Sequence, residues 1–482
     1  MDPAESSLTH ARLTAAQRRL AVCTLIVGTV MGSMDGTIAN VALPTIAGDL
    51  HASASASIWV VNAYQLATTI SLLSFASLGD IFGYTRIYRL ALVVFIIASL
   101  LCAMSRSLLA LTLARLLQGF AASAQMAVAP AVARSLYPPA QLGRAVSNSA
   151  LAVAISAVAG PAVAGLILSL GPWPWLFLIN VPLGIVTIVL AYRYLPTQAG
   201  TRHPFDIQSA IESALTFGLF VVAIDGLGHG VNRLASAFEF GAMAIIAAAF
   251  LRRQFQLEVP LLPIDLFKVP MFSLSIATSY LSFVAQALTI VTLPFYFEDV
   301  LRFSAVATGL LMTPWPITVM FVAKPAGRLA DRYPAGVLTT IGMGVVAAGL
   351  ILIVLLPPHP SIADIAWRMA VCGLGTGFFQ SPNNRAIQGS APIRRSGAAG
   401  GVQAMARVTG QTTGAALVAL IFGLFASGVH ASRGAIIAAL ELATVFVVAA
   451  GLMSSLRLST QVQGDGAPQK HHAEQKPQDA IG

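Results

Sequence analysis

Long apolar segments recur about fourteen times along the chain and are separated by short polar or charged stretches. Each segment is close to the roughly 20 apolar residues that an α-helix needs to cross a bilayer. The pattern therefore predicts an all-α polytopic membrane protein with 14 transmembrane helices. We place these helices near residues 20–46, 57–79, 87–105, 108–130, 143–170, 173–195, 207–226, 236–251, 271–297, 304–327, 335–357, 362–388, 398–425 and 434–457.

The first apolar segment contains a carboxylate, Asp35, near its middle. A charged group at that depth costs about 2.5–3.5 kcal/mol on insertion scales, and such groups usually mark an ion or proton path. Because burial disfavours the charged form of a carboxylate, we expect Asp35 to load and release a proton. The alternative is a structural carboxylate that bonds Thr37 or Asn40 on the same helix.

The composition excludes a soluble protein of ordinary type. Of the 482 residues, 56% are hydrophobic and 10% are charged, and the mean hydropathy is +0.78. Soluble proteins carry about 25% charged residues. The net charge of +9 comes from arginines in alternate loops, which obey the positive-inside rule if residue 1 is cytoplasmic. We therefore expect a multi-pass protein of the cell's inner (cytoplasmic) membrane, with both termini in the cytoplasm and no nucleic-acid partner.

The sequence offers no sign of metal, nucleotide or cofactor chemistry. Cys23, Cys102 and Cys372 all fall in apolar segments without metal-ligand spacing. None of the four lysines follows a glycine, which excludes a G-x-x-x-x-G-K-[ST] phosphate-binding loop. We therefore predict a protein that needs no cofactor and is not an enzyme.

Two landmarks occur twice at nearly the same spacing. The first landmark is a polar loop with glycine around Asp80, which recurs around Asp331, 251 positions later. The second is an arginine inside an apolar segment, Arg115, which recurs as Arg368, 253 positions later. A shared offset indicates two parallel repeats, the architecture of one large class of transporters. The predicted units are a cytoplasmic segment at 1–19, a six-helix bundle at 20–200, two additional helices at 201–255, a second six-helix bundle at 256–458 and a disordered cytoplasmic tail at 459–482.

The motifs of the chain resemble those of the major facilitator superfamily, and specifically its fourteen-helix drug/proton antiporter branch. The matching stretches are Asp35 to Pro44 in the first helix, the loops around Asp80 and Asp331, Arg115 to Gly119, Ala159 to Gly165, Phe205-Asp206, and Ser381 to Asn384. The resemblance implies two six-helix bundles related by pseudo-two-fold symmetry, with two extra helices between them. Departures occur at Ala76, Ile81, Ala164 and Pro334, where the family's motifs prefer other residues.

This resemblance implies a proton-coupled secondary transporter. It would export small lipophilic and often cationic compounds by multidrug/H⁺ antiport with alternating access, driven by the proton gradient. Its partners would be a small-molecule substrate, protons and the lipid bilayer, and we expect a monomer. The alternative is an exporter or importer of one specific metabolite, and a channel or membrane enzyme is a further class.

The resemblance and the chemistry of intramembrane charge together give three sets of candidate residues. We assign proton coupling to Asp35, Arg115 and Glu441, with Asp35 as the expected partner of Arg115, while Glu441 either titrates or extends outward from the bundle. Arg368 and Arg407 are further cations of the second half, which either take part in function or bond carbonyl oxygens at helix ends. The candidate substrate contacts are Trp59, Asn62, Tyr64, Gln65, Gln118, Phe283, Gln286, Tyr296, Trp315, Phe379 and Asn383. The candidate gating residues are Asp80, Gly83, Arg86, Gly160, Pro161, Gly165, Gly327, Asp331 and Arg332.

Overall fold

The computed structural model describes a protein built from helices. The described residues are 14–136, 156, 159–197, 200, 205–228, 233–257, 263–330, 332–391, 396–425 and 432–465. Within these ranges every regular element is a helix and no strand occurs. Asp331, a predicted gating residue, lies outside the described residues, as does most of the predicted tail.

The first half of the chain forms five long helices and three shorter ones. They are α1 (Ala15–Asp49), α2 (Ala54–Ser57), α3 (Trp59–Phe82), α4 (Tyr84–Met104), α5 (Leu108–Leu136), α6 (Ala159–Leu170), α7 (Trp175–Leu178) and α8 (Asn180–Tyr194). Helix α1 begins five residues before the predicted start, because Thr14 and Gln17 form a reciprocal capping box at its N-terminus.

The two additional helices and the second half follow. The additional pair is α9 (Ile207–Gly228) and α10 (Arg233–Gln256). The second half contains α11 (Pro270–Phe295), α12 (Ala305–Met312), α13 (Pro314–Leu329), α14 (Ala335–Val354), α15 (Ile362–Gly389), α16 (Ser396–Leu424) and α17 (Arg433–Asp465). Helix α17 extends seven residues beyond the predicted boundary at 458. A π-helical turn, Tyr296–Val300, continues α11.

Eleven spans among the described residues are long and apolar enough to cross a membrane. Three of them are broken by a single residue: Ile179 separates α7 from α8, Thr313 separates α12 from α13, and Ile58 separates α2 from α3. Pro314 opens α13 and lacks the amide hydrogen that would continue the α12 ladder, which accounts for the second break. Helices α6, α10 and α16 coincide with three further predicted crossings.

The additional pair packs against both halves of the molecule. Helix α9 contacts α3 of the first half and α16 of the second half. Val221 and Ile224 of α9 are buried with Ala416 of α16, and Trp59 of α3 packs against this cluster. The pair therefore covers one lateral seam between the two bundles.

The two halves meet directly at one end of the bundle, which we call the distal end because α1 ends there at Asp49. Gly165 of α6 faces α12, and a Cβ placed on it would lie 3.1 Å from the Val306 carbonyl oxygen. Similarly, a Cβ on Gly309 of α12 would overlap the Pro161 carbonyl oxygen. Small residues thus allow α6 and α12 to approach at backbone distance. The Ser55 hydroxyl also donates to the Ala419 carbonyl oxygen at 3.1 Å across the halves.

Candidate functional site

An ion pair lies in the interior of the first half. Arg115 Nη1 of α5 donates to Asp35 Oδ2 of α1, and both side chains are only 1% exposed. Asp35 Oδ1 accepts two further hydrogen bonds, from Gln118 Nε2 at 2.9 Å and from Asn180 Nδ2 at 2.8 Å. The pairing of Arg115 with Asp35 expected from the sequence is therefore present in the structure.

The arginine of this pair is held from several sides. Arg115 Nε donates to the Val60 carbonyl oxygen at 3.1 Å, and Nη1 also reaches Gln118 Oε1 at 2.6 Å. The Tyr64 ring lies 4.2 Å from the guanidinium carbon, close enough for a cation–π contact. Because the surrounding groups satisfy both charges, the pair is tolerated at a depth where isolated charges would be costly.

The local sequence explains how these side chains converge. Arg115 and Gln118 are three residues apart and so share one face of α5. Asn180 is the first residue of α8, and its position at a helix N-terminus adds a favourable dipole for the Asp35 carboxylate. The Ser99 hydroxyl of α4 accepts from Gln118 Nε2 at 2.9 Å. Five elements thus contribute to one polar cluster, which we call the Asp35 cluster (Asp35, Tyr64, Ser99, Arg115, Gln118 and Asn180).

The other cations and carboxylates predicted for coupling lie elsewhere. Glu441 is exposed on α17 and does not join the Asp35 cluster, so the structure shows the outward-extending alternative. Arg368 forms an i,i+4 ion pair with Asp364 at 3.1 Å and also donates to the Leu352 carbonyl oxygen. The carbonyl-bonding alternative considered from the sequence therefore describes Arg368.

A cavity lies inside the second half. It is narrow, with a volume of about 20 Å³ for a water-sized probe, and is lined mainly by α11, α14 and α15. Four of the eleven predicted substrate residues line it together: Phe283, Gln286, Trp315 and Phe379. The Trp315 indole Nε1 is buried without a hydrogen-bond partner among the described residues, which leaves a free donor at the cavity. The cavity thus combines apolar walls with a few polar groups, as small-molecule sites commonly do.

The other predicted substrate residues have different environments. Tyr64 and Gln118 belong to the Asp35 cluster. Asn383 is fixed by Arg457 Nη1, which donates to its Oδ1 at 2.7 Å, and by Ser279. Trp59 packs against the buried cluster of α9, and Tyr296 is buried in the π-helical turn. Gln65 is partly buried on α3. Asn62 is buried, and neither its side-chain oxygen nor its side-chain nitrogen is bonded to a described residue.

Comparison with known proteins identifies the family. The family model of the Major Facilitator Superfamily matches residues 25–415. The chain belongs to this superfamily.

Relatives of this transporter have varied names. It is 50% identical to the uncharacterized transporter YebQ of Escherichia coli (strain K12), over 93% of this chain and 97% of the relative. It is 30% identical to the riboflavin transporter RibZ of Clostridioides difficile (strain 630), covering 84% and 88% of the two chains. It is also 30% identical to the multidrug efflux pump LfrA of Mycolicibacterium smegmatis, covering 86% and 82%.

Solved structures of other transporters share the fold of this one. A bacterial homologue of the human lysosomal transporter Spinster, in an inward-facing and unoccupied conformation, superposes with a TM-score of 0.68. The match covers 95% of this chain and 100% of the other at 16% identity, so the similarity is one of fold.

The predicted gating residues of the transporter fall in two places. Gly160, Pro161 and Gly165 lie at helix contacts: a Cβ on Gly160 would overlap the Thr37 hydroxyl, and the other two face α12. Gly83 joins α3 to α4 with a φ of 93°, a conformation that favours glycine. Asp80 accepts a hydrogen bond from the Tyr84 hydroxyl. Arg86 and Arg332 are exposed. Gly327 is partly buried near Ser381.

Sequence reasoning missed three participants in these polar networks. Asn180 and Ser99 complete the Asp35 cluster, and Arg457 organises a second buried network with Ser275, Thr339 and Asn383. A signal existed for Asn180, the one amide in the apolar run 175–191. Arg457 gave a weaker signal because it stands where the last apolar segment ends.

Proposed function

We propose that this transporter exports small lipophilic compounds in exchange for protons, as a member of the fourteen-helix drug/proton antiporter branch. The observation that supports the proposal is the buried ion pair between Asp35 and Arg115. A carboxylate sealed inside an apolar bundle can change charge only when a proton reaches it, and that change alters every bond around it. Proton binding and helix packing are thereby linked.

The first step of the proposed cycle is protonation of Asp35. Neutralising the carboxylate removes the charge that holds Arg115 and weakens the bonds from Gln118 and Asn180, because hydrogen bonds to charged groups are the stronger ones. Helix α1 is then less tightly held to α5 and α8. Deprotonation restores the bonds, so the cluster has two arrangements that differ by one proton.

The second step transmits this change to the contact between the halves. Thr37 lies two residues after Asp35 on α1 and packs against Gly160 of α6. The next residue, Pro161, touches Gly309 of α12 in the second half. A shift of α1 therefore acts on the α6–α12 contact that closes the distal end, which is the two-state element that alternating access requires.

The topology and environment form part of the proposal. We propose that α6, α10 and α16 cross the membrane together with the eleven apolar spans, which gives fourteen crossings. In this topology α1 begins at the end of the bundle that faces the cytoplasm of a bacterial cell, and the distal end faces outward. The protein acts as a monomer.

We propose the second-half cavity as the substrate site. Its volume in this structure, about 20 Å³ for a water-sized probe, is far below that of small-molecule pockets, so the proposal requires the surrounding helices to separate before a substrate enters. The name of LfrA supports export of several drugs, and the name of RibZ supports the second candidate, transport of one metabolite. A cavity with both aromatic walls and glutamine side chains is compatible with either substrate class.

The test is a proton-flux assay with the purified chain in vesicles that contain a pH-sensitive dye. With an imposed proton gradient, a transported compound from a panel of dyes, biguanides, quaternary ammoniums and flavins should move against the proton flow. Flux that is insensitive to the gradient would refute antiport. A drug-sensitive bacterium expressing the chain should also tolerate more of several unrelated compounds, whereas protection against a single compound would favour the metabolite transporter.

A further inference from the structure

Arg407 is a cation at the contact between the two halves. It lies eleven residues after the start of α16 at Ser396, or roughly 16 Å along the helix at 1.5 Å per residue. Its Nη2 donates to Met126 Sδ of α5 at 3.2 Å, and Tyr64 of α3 is its titratable neighbour. Because α3 and α5 belong to the first half, Arg407 reaches across the region where alternating-access transporters bind their substrates.

The guanidinium of Arg407 is poorly satisfied by the protein. It carries five N–H donors, and a thioether sulfur is a weak acceptor. The bond to Met126 is its one hydrogen bond to the described part of the chain. The residue is partly buried, and its remaining N–H donors have no hydrogen-bond partner among the described residues.

The local charge balance is positive. Among the described residues, ion pairs join Arg115 with Asp35, Arg253 with Asp206, and Arg368 with Asp364. Arg115 and Asp35 cancel each other in the first half, whereas Arg407 has no carboxylate in the structure as described. A cation at such a depth is costly, which favours a function for it.

The helix of Arg407 also packs beside the second-half cavity, although Arg407 itself is not among the residues that line it. A Cβ placed on Gly410, three residues further on α16, would lie 3.0 Å from the Cβ of Phe283, one of the aromatic residues that line the cavity. Arg407 is thus about one turn of α16 from the contact with Phe283, while its guanidinium reaches toward Met126 of the first half.

We propose that Arg407 binds an oxyanion, a carboxylate or a phosphate, on an amphiphilic substrate that lies between the two halves, with its apolar part directed toward the aromatic residues of the second half. A guanidinium offers the parallel donors that such oxyanions accept. This assignment rests on the proposed function and differs from the cationic substrates that the family resemblance implies.

The first measurement is binding of matched aromatic probes to the purified full-length protein in detergent. The probes are 2-naphthoate, 2-naphthyl phosphate, the neutral 2-naphthamide and the cation 2-naphthylmethylammonium. We expect one of the two anions to bind about tenfold or more tightly than the amide, since hydrogen bonds to charged groups are worth that much. Comparing the anions tells which oxyanion is accepted. Equal or tighter binding of the amide or the ammonium, or binding of none of the four, would overturn the assignment.

The second measurement removes the charge. Arg407→Gln should abolish the preference for the anion and leave binding of the amide unchanged, whereas Arg407→Lys should keep part of the preference. Arg252→Gln is the matched control, because Arg252 is exposed at the end of α10. An anion preference that survives in Arg407→Gln would contradict the proposal. If Arg407→Gln does not fold, an unreduced preference in Arg407→Lys would contradict it equally.

These outcomes are separable from those of the proposed function. Anion-selective binding that depends on Arg407, without proton-coupled flux, would refute antiport and leave the oxyanion site standing. Proton-coupled flux of cations alone, with no preference for anions, would refute the oxyanion site and leave antiport standing.

Discussion

Two Asp–Arg pairs in this transporter use the same chemistry in opposite environments. Asp35 and Arg115 are sealed in the first half with side chains 1% exposed, whereas Asp206 and Arg253 lie at the base of the additional helix pair, 22% and 33% exposed. Asp206 stands immediately before α9, where it accepts from the Ser209 amide and from two nitrogens of Arg253. One pair is inside the bundle and the other is at its edge.

The difference teaches that burial, and not pairing itself, makes such a pair a candidate for coupling. Water screens a partly exposed pair, so its formation or loss changes little else. A buried pair incurs a large desolvation cost that only well-placed partners offset, and losing one charge leaves the other stranded. A buried pair is therefore suited to linking a change of charge to helix packing, and a partly exposed pair to fastening two helix ends.

The largest expected effect comes from Asp35→Asn. The amide cannot take up or release a proton, while its oxygen can still accept from Arg115, so the protein should fold and insert. Proton-coupled flux in vesicles should fall to the level of vesicles without protein. Asp49→Asn is the control, because Asp49 is an exposed carboxylate at the end of the same helix. Coupled flux at the wild-type rate in Asp35→Asn would remove Asp35 from the mechanism.

Arg115→Met should cause the next largest effect, a loss of stability. It leaves the Asp35 carboxylate buried without its cation, a change that typically costs about 3–5 kcal/mol. The free energy of unfolding in detergent would be measured for Arg115→Met, Asp35→Asn and the double variant. Because the residues touch, we expect the double variant to be more stable than Arg115→Met alone. Additive losses would mean that the pair is not energetically coupled.

Gly160→Ala should have an intermediate effect and tests the path from the buried pair to the gate. The added methyl group overlaps the Thr37 hydroxyl, so α1 and α6 must separate slightly. We expect slower coupled flux with an intact Asp35 cluster. Adding Thr37→Ala removes the overlapping oxygen and should restore much of the rate. A slow double variant would show that α1–α6 packing is not what limits transport.

Much of the fold could be predicted from the sequence because the bilayer dictates it. An apolar segment of about 20 residues has one stable form, a helix, since lipid offers no hydrogen-bond partners to the backbone. The single-residue breaks at Ile58, Ile179 and Thr313 were not predicted, because they depend on how the neighbouring helices pack. The count of fourteen crossings and the division into two halves with an additional pair remain predictions from hydropathy and repeats, and eleven spans of sufficient length lie among the described residues.

The candidate site could be predicted only in part, for a different reason. A charge within an apolar segment, such as Asp35 or Arg115, is conspicuous in the sequence, and its need for a partner makes the pairing a natural inference. Which way a residue faces is harder to infer, because a helix that is apolar all round has no polar stripe to orient it. Glu441 on α17 is exposed, which is one of the two alternatives that its position in the sequence left open, and Asn383 binds Arg457.

The smallest expected effect is the pH dependence of the Asp206–Arg253 pair. Burial pushes the pKa of Asp206 up, but hydrogen bonds from Arg253 and Ser209 outweigh it and hold the pKa below its ordinary value. A carboxylate with a lowered pKa stabilises the fold at neutral pH, and that contribution declines as the pH falls below the ordinary aspartate pKa of about 4 and then through the carboxylate's own lower pKa. Asp206→Asn should therefore melt slightly lower than wild type at pH 7, and the difference should shrink as the pH falls below about 4. A difference that does not shrink there would show that the asparagine perturbs packing and not charge. The pH dependence of melting should also be compared between Arg253→Gln and Arg252→Gln. Arg253 is paired with Asp206 and the adjacent Arg252 is exposed, so this comparison separates loss of the ion pair from loss of a positive charge.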